Sequence, residues 1–243
     1  MSLREMNDEL LSCRRCPRLV EWRERVAVKK RRAFRDWDYW GKPVPGFGDS
    51  HAGVFVVGLA PGAHGSNRTG RQFTGDGSGD FLFPALYRAG FASQPNSVSR
   101  QDGLILKDLY TAPICRCAPP DNKPTLQEMA NCQPYLEREL ELIRPKVIVA
   151  LGRIAFDGIL RVLIKDNEWM RAIRYPSAMI FSHNAVFQID ANRWLLSSYH
   201  PSRQNTQTGH LTVEMFDQVW ENARGLLFHP TRSSGLNVNN KSL

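Results

Sequence analysis

Four side chains of complementary chemistry stand out in the sequence: Phe73, Asp76, Asn122 and His200. A carboxylate can orient water or stabilise developing positive charge, and an imidazole can donate a hydrogen bond to a leaving group. An aromatic ring can hold a planar ligand by stacking, and an amide can read the edge of that ligand. One group of each kind predicts a site that binds a planar ring and breaks a bond beside it.

Excision of a base from DNA is a reaction that uses all four groups. The N-glycosidic bond breaks through an oxocarbenium-like sugar, so positive charge develops on the sugar while the base departs as an anion. We expect Asp76 to stabilise the sugar or orient water, and His200 to donate to the departing carbonyl oxygen. Phe73 would stack on the extruded base and Asn122 would read its edge. Structural interpretations remain for two residues, since Asn122 suits a turn and His200 suits a strand end.

The segment that carries Phe73 and Asp76 is unusually rich in glycine. An apolar run at residues 54–57 ends at Gly58, which predicts a buried strand. The glycines that follow are Gly62, Gly65, Gly70, Gly75, Gly77 and Gly79. Glycine lets the backbone turn sharply and approach a ligand closely. Open α/β sheets place binding sites in such loops, although an ordinary strand-to-helix loop can have a similar composition.

Four stretches are predicted to form buried strands: residues 54–58, 105–114, 146–152 and 194–199. Helical patterns alternate with them. We therefore predict an α/β fold, a three-layer αβα sandwich with a central, mostly parallel four-stranded sheet. The loops after the first, second and fourth strands would meet at one edge of this sheet, where their polar side chains can converge.

The chain is predicted to form a single domain over residues 1–229, of which residues 1–50 are an N-terminal arm. Residues 230–243 have no hydrophobic periodicity and few apolar residues, so we expect a flexible tail. A capping box of Thr125 and Glu128 predicts that a helix begins there.

Composition indicates the class of partner. The 243 residues include 32 lysine plus arginine and 24 aspartate plus glutamate, giving a formal net charge of +8 and a pI of about 9.5. This excess favours a polyanion such as nucleic acid, although it can serve solubility alone. No apolar run approaches the roughly 20 residues that span a bilayer. We expect a monomer without a membrane partner.

A run of basic residues precedes a group of aromatic ones in the arm. The basic residues are Arg23, Arg25, Lys29, Lys30, Arg31, Arg32 and Arg35, and the aromatic ones are Trp37, Tyr39 and Trp40. Such a combination can follow a phosphate backbone and stack on bases. The alternative is a solvated helix face packed at one end by its aromatics.

Five cysteines form a second candidate centre: Cys13, Cys16, Cys115, Cys117 and Cys132. An odd number does not suit a disulfide framework, and in a reducing compartment such a set indicates metal or redox chemistry. The C-x-x-C pair at 13–16 and two thiolates from the distant segment would complete a four-cysteine site. Four cysteines suit zinc or a 4Fe–4S cluster, and spacing does not separate the two.

Four blocks of this sequence resemble the family 5 (B-type) uracil-DNA glycosylases. They are the cysteine pair at 13–16, GLAPGAHG at 58–65 followed by NRTGRQFTGDGSGDF at 67–81, C-x-P-P at 117–120, and H-P-S at 200–202. Their order and combination are specific. The resemblance implies an enzyme that flips uracil out of double- or single-stranded DNA, hydrolyses its N-glycosidic bond and leaves an abasic site. It also suggests activity on other deaminated bases such as hypoxanthine, and a location at the nucleoid in a prokaryotic cytoplasm.

The resemblance also implies roles for individual residues. The first motif supplies the stacking aromatic, matched by Phe73, and the catalytic aspartate, matched by Asp76, while H-P-S supplies His200. Further substrate-binding residues expected in the first motif are Gly58, Ala60 and Gly62. The residues expected to contact DNA and fill the space left by the flipped base are Ser202, Arg203, Gln204 and Asn205.

The sequence departs from the related family 4 enzymes at two positions. Those enzymes carry an acidic residue where this chain has Leu59, and an asparagine where it has Pro113. The roles of activating water and reading uracil must therefore move, and we assign them to Asp76 and Asn122.

For the cysteines, the resemblance favours a 4Fe–4S cluster over zinc and selects its ligands. The C-x-P-P segment of the family matches residues 117–120, which makes Cys117 a ligand and leaves Cys115 spare. The implied ligand set is Cys13, Cys16, Cys117 and Cys132. Such a cluster would tie the N-terminal arm to the sheet in a structural role.

A non-catalytic nucleic-acid-binding protein with a four-cysteine zinc site is the competing functional class. Charge, aromatics and cysteines fit both classes. The loop around Asp76 and the H-P-S motif favour the enzyme, because binding alone requires neither. A redox protein built on C-x-x-C fits less well, since Cys16 is followed by proline and no cofactor loop is evident.

Overall fold

A computed structural model describes residues 2–166 and 179–228 of the chain, and the predicted tail at 230–243 lies outside them. The strands are β1 Phe47–Gly48, β2 Val54–Gly58, β3 Leu109–Pro113, β4 Val147–Leu151, β5 Val186–Gln188 and β6 Trp194–Ser198. The helices are α1 Leu3–Leu11, α2 Pro17–Lys29, α3 Ser66–Thr69, α4 Gly79–Arg88, α5 Leu126–Ile143, α6 Arg153–Asp166, α7 Arg203–Gln207 and α8 Val213–Phe228. Short 3₁₀ turns lie at Arg32–Phe34 and Pro120–Asn122.

The strands form one sheet in the order β1-β3-β2-β4-β6-β5. The central four, β3-β2-β4-β6, are parallel to one another, which confirms the predicted parallel core. The predicted number of strands was wrong, because antiparallel β1 and β5 extend the sheet at its two edges. These edge strands have two and three residues, which is too short for a clear periodic pattern in the sequence.

Both faces of the central strands are covered by helices. Phe55 and Ile148 lie in a core cluster with residues of α5 and α6, whereas Val56, Val149 and Trp220 lie in a second cluster with residues of α4 and α8. Every residue of β2 and β4 is buried, so these strands appear in the sequence as continuous apolar runs. The predicted three-layer arrangement is therefore present.

The second predicted strand is shorter than expected. It begins at Leu109 rather than at residue 105, because Ile105 is exposed and its N–H donates to the Ser93 hydroxyl (2.9 Å). The capping box that was expected to start α5 is confirmed, since Thr125 and Glu128 exchange backbone and side-chain hydrogen bonds.

Parallel pairing brings the carboxyl ends of β2, β3 and β6 to the same edge of the sheet. The glycine-rich loop, the segment before α5 and the H-P-S loop all leave from this edge, as predicted. Within the described residues, none of the helices is both long enough and apolar enough to cross a membrane.

Candidate active site

Asp76 lies where the glycine-rich loop passes into α4. Its Oδ1 accepts hydrogen bonds from the backbone N–H groups of Ser78 (3.1 Å) and Gly79 (3.0 Å). These donors stand at the N-terminal end of α4, where the helix dipole favours a negative charge. Among the described residues Oδ2 has no hydrogen-bond donor, so this oxygen is available to a water molecule.

Glycines make room for this carboxylate. A Cβ on Gly65 would lie 2.1 Å from Oδ2 of Asp76, and a Cβ on Gly62 would lie 3.5 Å from the same atom. A side chain at position 65 would therefore displace the carboxylate. The predicted substrate-binding residue Gly62 is thus a neighbour of Asp76, whereas Ala60 is half-buried and packs against the core.

The surroundings of Asp76 shift its pKa in both directions. Burial raises the pKa above that of an ordinary aspartate and has the largest effect. The two backbone donors and the Arg68 guanidinium lower the pKa, and the neighbouring Asp80 carboxylate raises it. The net shift is upward, which suits a carboxylate that accepts a proton from water.

Arg68 ties together two separate points of the glycine-rich loop. Its Nε donates to the carbonyl of His64 (2.7 Å), and its Nη2 donates to the carbonyl of Gly75 (3.0 Å). The guanidinium carbon lies 4.0 Å from the ring centroids of both Phe34 and Trp37. Aromatic residues of the arm therefore hold the arginine that fixes the loop.

The other aromatics of the arm are also engaged within the protein. Trp40 lies 4.3 Å from the guanidinium carbon of Arg100, measured to the ring centroid. The Tyr39 hydroxyl is 2.9 Å from Nδ1 of His64. These contacts support the interpretation that the aromatic rings pack within the arm, rather than the interpretation that they are free to stack on bases.

Phe73 has a left-handed backbone with a φ of +53°. This conformation is uncommon for a bulky residue, and such residues cluster at functional sites. The ring lies against Gly58 at the end of β2, where a Cβ would come within 2.8 Å of the ring atom Cζ. The ring centroid is 6.4 Å from that of His200. The structure therefore brings together the predicted stacking residue and the predicted hydrogen-bond donor.

His200 follows the carboxyl end of β6 on a closely fitted loop. Its carbonyl accepts hydrogen bonds from the Ser202 N–H (2.7 Å) and from Nδ2 of Asn205 (2.8 Å). Gly152 has a φ of +94°, and a Cβ there would lie 3.1 Å from Cβ of His200. Burial lowers the pKa of His200 to about 4. The imidazole is therefore neutral at neutral pH and can donate a hydrogen bond without carrying a charge.

The residues expected to contact DNA form α7 and its cap. The Ser202 hydroxyl accepts from the Asn205 N–H (3.3 Å), and the Asn205 side chain turns back to a carbonyl of the loop. Arg203 and Gln204 are exposed on the same turn, and Arg203 passes over Gly77, where a Cβ would lie 2.6 Å from its Nε. Asn205 thus positions the loop, and DNA contact stays a prediction for this segment.

Asn122 lies on the 3₁₀ turn before α5 and is exposed. Its φ is +57°, that of Asp121 is +53°, and its N–H donates to the Pro119 carbonyl (3.3 Å). These features belong to a turn, and the base-reading role of Asn122 stays a prediction.

One cavity beneath the arm is lined by four of the five cysteines: Cys13, Cys16, Cys117 and Cys132. Leu10, Leu19 and Arg116 are also part of its lining. Cys115 is buried outside the described lining, and its Sγ is 3.7 Å from the Cys117 carbonyl oxygen. The cysteines that line the cavity are the same four that the family resemblance implies as ligands.

Side-chain N–H donors lie beside two of the sulfur atoms in this cavity. Nη1 of Arg23 lies 2.8 Å from Sγ of Cys117, and Nδ2 of Asn131 lies 3.3 Å from Sγ of Cys16. Burial raises the pKa of the Cys117 thiol to about 12, and the Arg23 charge opposes that rise. Within residues 2–166 and 179–228, no group of three or more His, Cys, Asp or Glu side chains closes on a single metal-ion position.

Helix α2 connects the cysteine cavity with the glycine-rich loop. Arg23 contacts Cys117 through its guanidinium, and its carbonyl accepts from Nδ2 of Asn67 in the loop (3.2 Å). The arm adds backbone bonds from Gly41 to Asn67 (3.1 Å) and from Trp40 to Arg68 (2.9 Å). The arm, the cavity and the loop therefore pack as one unit.

Two side chains near the site, buried Gln72 and half-buried His183, escaped the sequence analysis. Gln72 accepts a hydrogen bond from the Thr111 hydroxyl (2.8 Å). His183 accepts from the Tyr199 N–H (3.2 Å) and its Nε2 lies 3.1 Å from the Met215 carbonyl, which fixes the end of β6. Gln72 lies inside the block at 67–81, but the partners of both side chains are distant in the chain, so the sequence does not mark these contacts.

Comparison with known proteins agrees with this geometry. The family model described as the uracil DNA glycosylase superfamily matches residues 45–224. The type-5 uracil-DNA glycosylase of Mycobacterium leprae (strain TN) is 50% identical over 228 residues, covering 93% of this chain and 96% of the relative. That of Thermus thermophilus is 51% identical over 218 residues, with 89% and 94% coverage. That of Pyrobaculum aerophilum is 44% identical over 216 residues, with 89% coverage of each.

These matches confirm the resemblance carried by the sequence blocks. The matched residues 45–224 include the glycine-rich loop, α5 and the H-P-S loop, so they cover each element that contributes to the candidate site. The chain belongs to the uracil DNA glycosylase superfamily.

Proposed function

We propose that this chain excises uracil from DNA by hydrolysing the N-glycosidic bond and leaves an abasic site. The observation that carries the proposal is the convergence of Phe73, Asp76 and His200 at one edge of a parallel sheet. The type-5 uracil-DNA glycosylases that share about half of this sequence support it.

The geometry suggests a separate role for each of the three side chains during bond cleavage. The electron pair of the C1′–N1 bond passes to the base, and a neutral His200 donates a hydrogen bond to the carbonyl oxygen on which the charge develops. Asp76 is held by α4 through Oδ1, so Oδ2 can orient water towards C1′ and take its proton. Phe73 holds the flipped base by stacking.

The substrate range is proposed to include other deaminated bases such as hypoxanthine, in both double- and single-stranded DNA. Stacking on Phe73 acts on a feature that uracil and hypoxanthine share, namely a planar ring. Because the substrate would be genomic DNA, we expect the protein to act at the nucleoid of a prokaryotic cell. We also expect it to be a monomer.

A gel assay tests this proposal. The protein should convert a labelled oligonucleotide with one uracil, or one hypoxanthine, into an alkali-sensitive strand, and should leave a matched thymine strand intact. Tight binding without alkali-sensitive product would instead support the non-catalytic nucleic-acid-binding protein.

We further propose that Cys13, Cys16, Cys117 and Cys132 hold a 4Fe–4S cluster, with zinc as the alternative. Four thiols around one cavity, with Arg23 and Asn131 donating to sulfur, suit a thiolate-bound cluster, whereas a zinc ion would need these thiols to close on a single position. When bound, the cluster would act as a cross-link between the arm and the sheet.

Two serine variants test the choice of cysteines. Cys117→Ser should lose iron and the broad visible absorbance, because it removes a predicted ligand. Cys115→Ser is the matched control and should keep both, since Cys115 lies outside the described lining of the cavity. Metal analysis and absorbance spectra of the two variants show which cysteine is a ligand. Stoichiometric zinc in a colourless, active protein would exclude the cluster.

DNA affinity should fall steeply with salt, because lysines and arginines release counterions from phosphates. If Arg203 contacts one phosphate, Arg203→Ala should reduce the slope of log K against log salt by about 0.9. Arg138→Ala, which alters an exposed arginine paired with Glu141 on α5, should leave the slope unchanged. Equal slopes for wild type and Arg203→Ala would remove Arg203 from the DNA contacts.

A further inference from the structure

We propose that the side-chain amide of Gln72 donates a hydrogen bond to the carbonyl that distinguishes a deaminated base from its amino-bearing parent, which is O4 in uracil. The inference rests on the proposed uracil excision and assigns a specificity-determining residue to that site.

The amide of Gln72 is fixed in one orientation. Its side chain is 2% exposed, and its Oε1 accepts a hydrogen bond from Oγ1 of Thr111 on β3 (2.8 Å). This contact assigns the oxygen to Thr111 and leaves the NH₂ group free to donate elsewhere. Among the described residues Nε2 has no hydrogen-bond acceptor. Nε2 is not fully buried, so a water molecule or a ligand can reach this unpaired donor.

The free NH₂ group lies beside the ring that is expected to stack on the base. A Cβ on Gly58 would be 2.4 Å from Nε2 of Gln72 and 2.8 Å from Cζ of Phe73, so both groups rest on the same glycine. The amide therefore lies close to ring atom Cζ of Phe73, within reach of the edge that we expect a stacked base to present.

A donor in this position discriminates by chemistry. Uracil has a carbonyl at C4 where cytosine has an amino group, and hypoxanthine has a carbonyl at C6 where adenine has an amino group. The Gln72 NH₂ group can donate to either carbonyl, whereas an amino group would face it as a second donor. The O2 carbonyl cannot serve this purpose, because uracil and cytosine share it. Gln72 thus supplies a physical basis for accepting several deaminated bases.

The test combines removal of the donor with removal of the acceptor. Two duplexes are compared, and in both the target nucleotide has a 2′-fluoroarabino sugar, which resists cleavage. The base of this nucleotide is uracil in one duplex and 2-pyrimidinone, which lacks O4, in the other. Wild type should bind the uracil duplex about tenfold more tightly than the pyrimidinone duplex, as expected for one buried hydrogen bond. Gln72→Leu should lose this preference by binding the uracil duplex more weakly, with little change for the pyrimidinone duplex.

Two further variants keep the test decisive if Gln72→Leu folds poorly. Gln72→Glu keeps the shape but replaces the NH₂ group with an acceptor, so it should also lose the preference. Thr111→Val releases the amide from its fixed orientation and should reduce the preference. An unchanged preference in Gln72→Glu, or equal weakening on both duplexes, would overturn the inference. If wild-type protein releases uracil normally in that case, the proposed function stands and only the role of Gln72 is rejected.

Discussion

Asp76→Asn should lower the single-turnover rate of uracil release by a factor of about 10²–10⁴, the usual contribution of a positioned general base. The asparagine amide can keep the backbone hydrogen bonds at the start of α4 but cannot take a proton from water. Affinity for uracil DNA should remain nearly unchanged or rise, because the substitution removes a negative charge near the phosphates. Single-turnover kinetics, with binding measured separately, gives both quantities.

The pH profile provides a second test of Asp76. Water activation needs the ionised carboxylate, so the rate should rise with pH through the pKa of Asp76 and be lost below it. Burial raises this pKa, which places the acid limb above that of an ordinary aspartate. The limb should disappear in Asp76→Asn. Asp80→Asn, at an exposed carboxylate in the first turn of α4, is the matched control and should keep a rate close to wild type. A near-wild-type rate in Asp76→Asn would move water activation to another group.

His200→Ala should slow the chemical step by a factor of about 10²–10³, as expected when a preorganised donor is lost. The donor acts on charge that develops in the transition state, so ground-state binding should change much less. Burial lowers the pKa of His200 to about 4, so the imidazole stays neutral throughout the range of roughly pH 6 to pH 8. The plot of rate against pH should therefore show no inflection from His200 in this range. Single-turnover rates across this range test both statements.

A suitable control for His200 lies just beyond α7, the helix that follows the H-P-S loop. His210 is exposed and stacks on Tyr199, with ring centroids 4.1 Å apart, so His210→Ala should leave the rate close to wild type. Equal losses in His200→Ala and His210→Ala would indicate that the loop is merely disturbed. In the double variant of Asp76 and His200 the losses need not add, because both groups act on one transition state.

The central fold was predictable because burial leaves a strong signal in sequence. Residues 54–58 and 146–152 form continuous apolar runs, since helices cover both faces of β2 and β4. Parallel strands then place their following loops together, which brought Phe73 and His200 to one edge as expected. The edge strands β1 and β5 were not part of the predicted four-stranded sheet, because pairing rather than hydrophobic pattern defines such short strands.

The fine structure of the site depends on contacts that sequence alone does not reveal. Gln72 and Thr111 are 39 positions apart, and Arg23 and Cys117 are 94 positions apart. The aromatic cluster of the arm suggested base stacking in the sequence, yet Trp37 packs on buried Arg68. Composition identified the aromatic residues of the arm as important but could not say whether their partners lie in DNA or within the protein.

The most direct test of the account is to identify the products that the wild-type protein forms from a duplex with a single uracil. Mass spectrometry should detect free uracil and an unbroken strand with a hydrolysed, aldehydic abasic site, in equal amounts, and Asp76→Asn should yield little of either. Release of no base, or appearance of a nicked strand without alkali, would contradict a hydrolytic glycosylase site built on Asp76 and His200.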